Sequence, residues 1–521
     1  MASLEAAYAA WRLALGDERV ISTPRDIPTH DGGGVTVVGV LKPANEAHVV
    51  SIVTIARENG VPLYPVSAGR NWGYGGAAPV TPGCAIVDLS GMNAITSVDA
   101  ELGLVTLQPG VTIDQLRDFL RERNIAFRAP SVGIGGGGSV IGNALERGRS
   151  GTPIVDRSSS LMGLRAVLGD GSVYVSYPHQ GDESTRHFFR WGRGPDVTAL
   201  FPQSNFGIVT SATFALAPAP AYERAFLMPF RRESFAQAID AMRLLLFEFG
   251  SLVTFVAVQN AERIQTSRQA DSHAQEFALN VFKNTRDSNL VPEWALVGAL
   301  EGDRRVVRAA ASRARELLRF GGTTVHFFDE RTLLALAALD TMPAQPRFLR
   351  DLSAHSVFVY SYMNHELMSE GTKRRYSSRS RQCYDLVGTY RGVRMLPVVL
   401  PLVGAPVARF ADAAEAVFAA HGFSFTPSFL NFSERSAFVS LPLLFDPDDA
   451  RQTHAADRCY EKIESIAHDA GGYYHRLSIQ SMERSGETDG AAQKIKQALD
   501  PDGIIAPDRY VRVPPAGEQT P

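Results

Sequence analysis

Apolar residues recur along the chain at two spacings, and the changes between them mark out its elements. After Asn45, the residues Val49, Ile52, Val53 and Ala56 share one face of a 3.6-residue repeat, with Asn45 placed to cap a helix and Gly60 to end it. The run VPLYPVS (61–67) that follows is short and extended, and CAIVDLS (84–90) and LGLVTLQPG (102–110) read as strands. Thr112 opens a second helix carrying Ile113, Leu116, Phe119 and Leu120 on one side. In LRAVLGDGSVYVS (164–176), the Gly169-Asp170-Gly171 turn joins two antiparallel strands. The prolines of APAPAY (217–222) then break the pattern, because neither a helix nor an interior strand continues through them.

Beyond that break the helical repeats lengthen. One carries Phe235, Ile239, Met242 and Leu246 on a single face, and another runs from Ala408 to Ala420. They alternate with the apolar strand candidates LVTFVAV (252–258) and RMLPVVLPLV (394–403). The tail IKQALDPDGIIAP (495–507) is a helix followed by a turn. The pattern predicts an α+β chain in three segments: residues 1–219, a second α+β domain over 220–470, and a C-terminal segment, 471–521. Neither a low-complexity tract nor a short-period repeat interrupts it.

Composition narrows the class. The chain has 521 residues, 45% hydrophobic and 21% charged, enough for more than one buried core. Its 52 Lys and Arg nearly balance 55 Asp and Glu, for a formal charge of −3, and no aromatic-basic stripe stands out, which argues against a nucleic-acid partner. Glu5, Arg12 and Asp17 interrupt the apolar start and no later segment is apolar enough to span a bilayer, so a cytoplasmic protein without membrane association is expected. Three widely spaced cysteines, Cys84, Cys383 and Cys459, argue against a disulfide framework or a thiolate zinc site, and the twelve histidines form no tight metal pattern. No metal is expected.

Two glycine-rich stretches carry the candidate chemistry: SAGRNWGYGGAAP (67–79) and APSVGIGGGGSVIGNALERG (129–148). Without a Cβ, glycine takes positive φ and lets amide N–H groups come close to an anion. Two such loops suggest one diphosphate. Neither fits GxxxxGK[ST], and no GxGxxG ends a first strand with an acid some twenty residues on, so a P-loop and a Rossmann unit are both disfavoured.

Taken in order, SAGRNWGYGGAAP, GNALERG, FPQSNFGIVT (201–210) and LDPDGIIAP (499–507) resemble the flavin-binding motifs of the vanillyl-alcohol oxidase and para-cresol methylhydroxylase family. The resemblance is dense in the first 215 and last 60 residues. It implies an FAD-binding domain built from both chain ends with an inserted cap domain, an oxidase or dehydrogenase activity, and a homodimer. The cofactor residues it implies are Ser67, Gly69, Arg70, Asn71, Gly73, Gly75 and Gly76 in the first loop and Pro130, Ser131, Gly135, Gly136, Gly137, Gly138, Ser139 and Asn143 in the second, with Gly207, Ile208, Tyr390 and Arg509.

For catalysis the resemblance implies Tyr74, pointing past its flanking glycines toward substrate, and the pair His475-Arg476 in GGYYHRLS (471–478), where the family has Tyr-Arg to hold a phenolate. Arginine presents a fork of donors at every ordinary pH, and a histidine can donate in place of a phenol. Hydride would leave a benzylic or carbinol carbon of a small aromatic substrate for flavin N5. The electrons would pass on to O2 or a cytochrome-type acceptor. A different reading keeps FAD but gives Arg476 the carboxylate of an aliphatic hydroxy acid. A third is a flavin-binding subunit inactive without its electron-accepting partner.

The sequence also departs from the family. Ile134 stands where some members carry an aspartate near the flavin, leaving Asp156 or a cap-domain Glu as substitutes. Leu396 stands about where a histidyl flavin link would form, and Tyr390 is near a tyrosyl position but out of register. FAD is therefore expected to be non-covalent or tyrosyl-linked. Asn71 and Ala129 occupy the positions of the histidine and cysteine that doubly attach flavin in berberine-bridge relatives, so that mode is disfavoured.

Overall fold

The computed structural model describes residues 2–29, 33–130, 136–177, 187–263, 293–329, 331–332, 392–484 and 489–512. Its backbone divides into two compact units. One comprises Met1–Arg149, Asp156–Pro218 and Arg476–Pro521, and the other Ser150–Val155 and Ala219–His475.

In the first unit, helices Ala2–Leu15 and Glu46–Asn59 cover a four-stranded sheet ordered Val20–Ile21, Gly39–Leu41, Ala85–Asp88, Leu63–Val66, of which the last three strands are parallel. The helix after Asn45 forms as its pattern dictates: the Asn45 side chain accepts from His48 N–H, Gly60 closes it at φ 63°, and Val49, Ile52, Val53 and Ala56 are fully buried. Trp11 is buried in the same core, its indole donating to the Ile52 carbonyl at 3.3 Å.

A second, antiparallel sheet runs Val173–Val175, Leu161–Leu168, Gly207–Ala215, Leu104–Leu107, Ile95–Asp99. Helix Ile113–Glu122, capped by Thr112, lays Ile113, Leu116 and Leu120 into the core beside it, each worth roughly 1.5–3 kcal/mol of burial. Phe119 reaches only the edge of this face and carries the Arg123 guanidinium 4.3 Å from its ring centre. The chain ends join here as well. Helix Gly490–Leu499 leads into a tail that runs beside Leu63, with Leu63 N–H donating to Ile504 and Ala506 N–H to Leu63.

The second unit is built on an eight-stranded antiparallel sheet with helices Phe235–Phe249, Arg304–Leu317, Gly404–Ala420 and Ala450–Asp469. Strands Val253–Asn260 and Trp294–Gly302 are buried along nearly their whole length, as their unbroken apolar runs require. The sheet ends on Tyr473–Tyr474, paired with Val398 and Val399. Each unit mixes helices with a sheet, the α+β class that the sequence pattern predicts.

No helix among the described residues is long and apolar enough to cross a membrane, and none of their His, Cys, Asp and Glu gather in a group of three that could hold a metal. Burial pushes the thiols of Cys84 and Cys459 up to about 12, so neither is a nucleophile at neutral pH.

Candidate active site

Where the C-terminal tail passes the strand Leu63–Val66, the first unit opens into a cleft of about 1080 Å³, counting its mouth. Ser67–Asn71 and Gly76 of the first glycine loop, Ser139 and Asn143 of the second, Gly207, and Ile505, Ala506 and Arg509 of the tail all line it. The first loop needs its glycines for conformation: Gly69, Gly73, Gly75 and Gly76 have φ of 65°, 78°, 108° and 62°. Tyr74 and Gly76 both donate to the Asn71 carbonyl, which curls the loop and leaves Ser67 to Asn71 along the cleft.

The second loop places its glycines differently. Its described glycines, Gly136 to Gly138, do not take positive φ; they lie against helix Ile113–Glu122, with Asp114 N–H donating to Gly136 at 2.8 Å and Ile113 N–H to Gly138 at 3.0 Å. A Cβ on Gly136 would fall 1.8 Å from the Asp114 carboxylate, and one on Gly137 2.6 Å from the Arg70 guanidinium carbon. Ser139 then caps the short helix Val140–Leu145 by accepting from Gly142 N–H, and its hydroxyl donates to Pro109. Glu146 follows directly.

Glu146 is the centre of a buried polar cluster. One oxygen pairs with Arg509; the other lies 3.2 Å from Arg476 Nε and accepts from the Tyr510 hydroxyl at 2.9 Å. Arg509 also donates to the Tyr64 hydroxyl, and Arg476 to the Asn71 side-chain oxygen, with its guanidinium 4.2 Å from the centre of the Tyr74 ring. Burial alone would raise the Glu146 pKa, but Arg509 and Arg476, with the Tyr510 hydrogen bond, hold it below its ordinary value. Burial raises the Tyr74 phenol against the pull of Arg476, so Tyr74 stays protonated and remains a donor.

The expected residues are distributed unevenly. Ser67, Gly69, Arg70, Asn71, Gly76, Ser139, Asn143, Gly207, Arg476 and Arg509 line the cleft. Gly73 and Gly75 shape the first loop, Gly136, Gly137 and Gly138 back the second, and Pro130 and Ile208 are buried away from the cleft wall. Tyr74 is not a wall residue of this cleft; it is buried, with Arg476 over its ring. His475 falls in the second unit, its ring Nδ1 3.0 Å from the Pro397 carbonyl and its face against Phe432 and Phe438. A carbonyl only accepts, so Nδ1 carries the proton, and a neutral His475 could not also donate from Nε2.

Asp156 accepts from the Ser158 N–H and hydroxyl and caps a short turn, and it is not among the residues lining the cleft. Leu396 is buried opposite Leu441. Ser131, Ile134, Gly135 and Tyr390 lie outside the described residues. Sequence reasoning missed Glu146, Tyr64, Asn205, Lys496 and Tyr510. GNALERG shows Glu146 only as an acid after a short helix, with nothing local to mark Arg509 or Arg476 as its partners.

The comparisons with known proteins follow this geometry. A family model described as an FAD binding domain matches residues 37–176. The chain is 29% identical to 1'-carboxy-chondrochloren decarboxylase of Chondromyces crocatus, over 97% of both chains. It is 26% identical to the 4-cresol dehydrogenase [hydroxylating] flavoprotein subunit of Pseudomonas putida, over 88% of this chain and 85% of that one. Among solved structures it shares the fold of p-cresol methylhydroxylase with substrate bound (TM-score 0.78, 21% identity, 98% of each chain) and of 4-ethylphenol oxidase from Gulosibacter chungangensis (TM-score 0.80, 21% identity, 99% and 98%).

Over most of its length the chain is similar to flavoproteins of the vanillyl-alcohol oxidase and para-cresol methylhydroxylase family, and it carries an FAD-binding domain. It is an FAD-linked oxidoreductase, and the cleft fits the cofactor of that family. The charged residues of the wall are Arg70, Arg476 and Arg509 against one acid, Glu146, a net positive charge that suits an anionic ligand. The side-chain oxygens of Asn143 and Asn205, both on the wall, are buried without a hydrogen-bond partner among the described residues, an arrangement that a bound ligand with donors would relieve.

Proposed function

We propose that this protein removes a hydride from a benzylic or carbinol carbon of a phenolic or related aromatic compound. The observation that carries the reading is the Arg476-Tyr74 pair: a cation at the cleft wall stacked on a phenol that remains a donor. Bound FAD supplies the hydride acceptor. Arg476 and Tyr74 stabilise the substrate's phenolate, and loss of the phenol proton pushes electron density toward the para carbon as hydride leaves. The resulting quinone methide then adds water or loses a second proton.

The relative from Pseudomonas putida is by name a flavoprotein subunit, which supports an electron acceptor such as a cytochrome, with O2 as the other candidate. We read the protein as cytoplasmic and homodimeric, to be tested by fractionation and light scattering. A second reading concerns the fate of the intermediate. Ile134 offers no acid for hydration, and the relative matched over 97% of both chains is named a decarboxylase. With a carboxylate on the carbon next to the benzylic one, loss of CO2 returns the electron pair to the ring and leaves a vinyl phenol.

The test is anaerobic mixing of FAD-loaded protein with para-alkyl phenols, benzylic alcohols, 3-(4-hydroxyphenyl)propanoate and aliphatic hydroxy acids while following flavin absorbance and released CO2. Bleaching by the phenols supports the reading, and CO2 with the propanoate supports its second form. Bleaching by aliphatic hydroxy acids alone would overturn both.

A further inference from the structure

Both oxygens of Glu146 are occupied, and each by a residue of a different chain segment that reaches the cleft. Arg476 has a long, rotamer-rich side chain, yet three contacts fix it: Glu146, the Asn71 side-chain oxygen and the face of Tyr74. The tail that bears Arg509 is strained. Ala506, Asp508 and Tyr510 have φ of 42°, 63° and 59°, left-handed values that non-glycine residues hold only where the surroundings over-determine them. Asn205 holds the ends of this turn through the carbonyls of Ala506 and Val511, and Thr81 holds Pro507 and Asp508. The side chains of Arg509 and Tyr510 both end on Glu146.

We propose that Glu146 is a positioning residue: by bridging Arg476 and Arg509 it fixes the Arg476 guanidinium beside Tyr74 and holds the 506–510 turn of the tail at the cleft. The first half rests on the reading of Arg476 as the group that holds an anionic substrate oxygen. The proposal opposes simple electrostatics. Removing a negative charge next to Arg476 should by Coulomb's law alone strengthen anion binding, whereas loss of positioning weakens it.

The experiment uses FAD-loaded wild type, Glu146→Gln and Glu146→Asp, titrated with 4-nitrophenolate, a coloured phenolate with no hydride-bearing para carbon. Amide hydrogen exchange of residues 504–512 is followed in parallel. Glutamine keeps the shape and removes the charge; aspartate keeps the charge and shortens the reach by one methylene. Both are expected to bind the phenolate at least roughly tenfold more weakly, and both should exchange faster over 506–511. Phenolate binding in Glu146→Gln as tight as in wild type, or tighter, overturns the proposal. If Glu146→Gln does not load FAD, Glu146→Asp carries the same test with the charge retained. A wild type that takes up no phenolate overturns the reading of Arg476 itself, and is distinguished by failing before any variant is compared.

Discussion

Replacing Lys496 with methionine should destabilise the first unit and loosen FAD together. Lys496 is 1% exposed, and its ammonium donates to Asp500, to the Asn205 carbonyl and, at 2.8 Å, to the Ile505 carbonyl. Burial lowers its pKa against the pull of Asp500, the mark of a charge tolerated because it is paired. Asp500 is equally buried and accepts from the N–H groups of Ile504 and Ile505. Methionine matches the volume but leaves the Asp500 charge without its cation, a loss of ~3–5 kcal/mol. At roughly 2–4 °C per kcal/mol for a domain of this size, the unfolding midpoint should fall on the order of 10 °C. Because Asn205 and Ile505 line the cleft, FAD should dissociate more readily at temperatures where the variant is still folded. The assay is a thermal melt read by far-UV circular dichroism and by flavin fluorescence, on Lys496→Met, Asp500→Asn and the double variant. The double should lose less than the sum of the singles, since removing both charges leaves neither stranded. A Lys496→Met midpoint within a degree or two of wild type would refute the reasoning.

Gly169→Ala should mimic part of that loss, because its Cβ would fall 2.6 Å from the Asp500 Cα, backbone that cannot swing aside; a cost of roughly 1–3 kcal/mol is expected in the same melt. Glu146 makes stability pH-dependent. Its folded pKa lies below the ordinary 4.5, so its contribution is complete above that value and is lost as pH falls through the folded one, and the gap between wild type and Glu146→Gln should close as pH falls below 4.5. Arg476→Ala should slow substrate-driven flavin reduction by roughly tenfold or more while FAD content stays near wild type; equal reduction rates would remove Arg476 from the substrate site. Acid precipitation should release the flavin from the protein, since Leu396 offers no nucleophile; flavin that stays in the pellet would point to Tyr390.

The parts of this molecule that were legible in its sequence are those where one physical cause acts over a short stretch. Asn45 and Gly60 bracket a helix because capping and left-handed closure are local, and the apolar spacing between them determines which face is buried. The first glycine loop was legible for the same reason: four positive φ values in eight residues are a local demand that only glycine meets cheaply. The second loop misleads a local reading. Gly136 and Gly137 lie against the Asp114 and Arg70 side chains, which approach from elsewhere in the chain, and no spacing within GIGGGG announces them.

The same distinction explains the site. Arg509 and Glu146 are 363 residues apart, and Arg476 and Asn71 are 405 apart, so nothing in either neighbourhood specifies the partner. A motif reading finds Arg476 because a family uses an arginine there. It passes over Glu146, because a lone acid after a short helix is ordinarily a solvated one. What identifies Glu146 is a charge argument available only in three dimensions: two buried guanidinium groups and the Tyr510 phenol converge on one carboxylate, and such a group is costly unless something requires the arginines to stay where they are. The loop glycines shape the cleft, but the ion cluster determines where its cations point, and on this reading substrate choice follows the cluster more closely than the glycines.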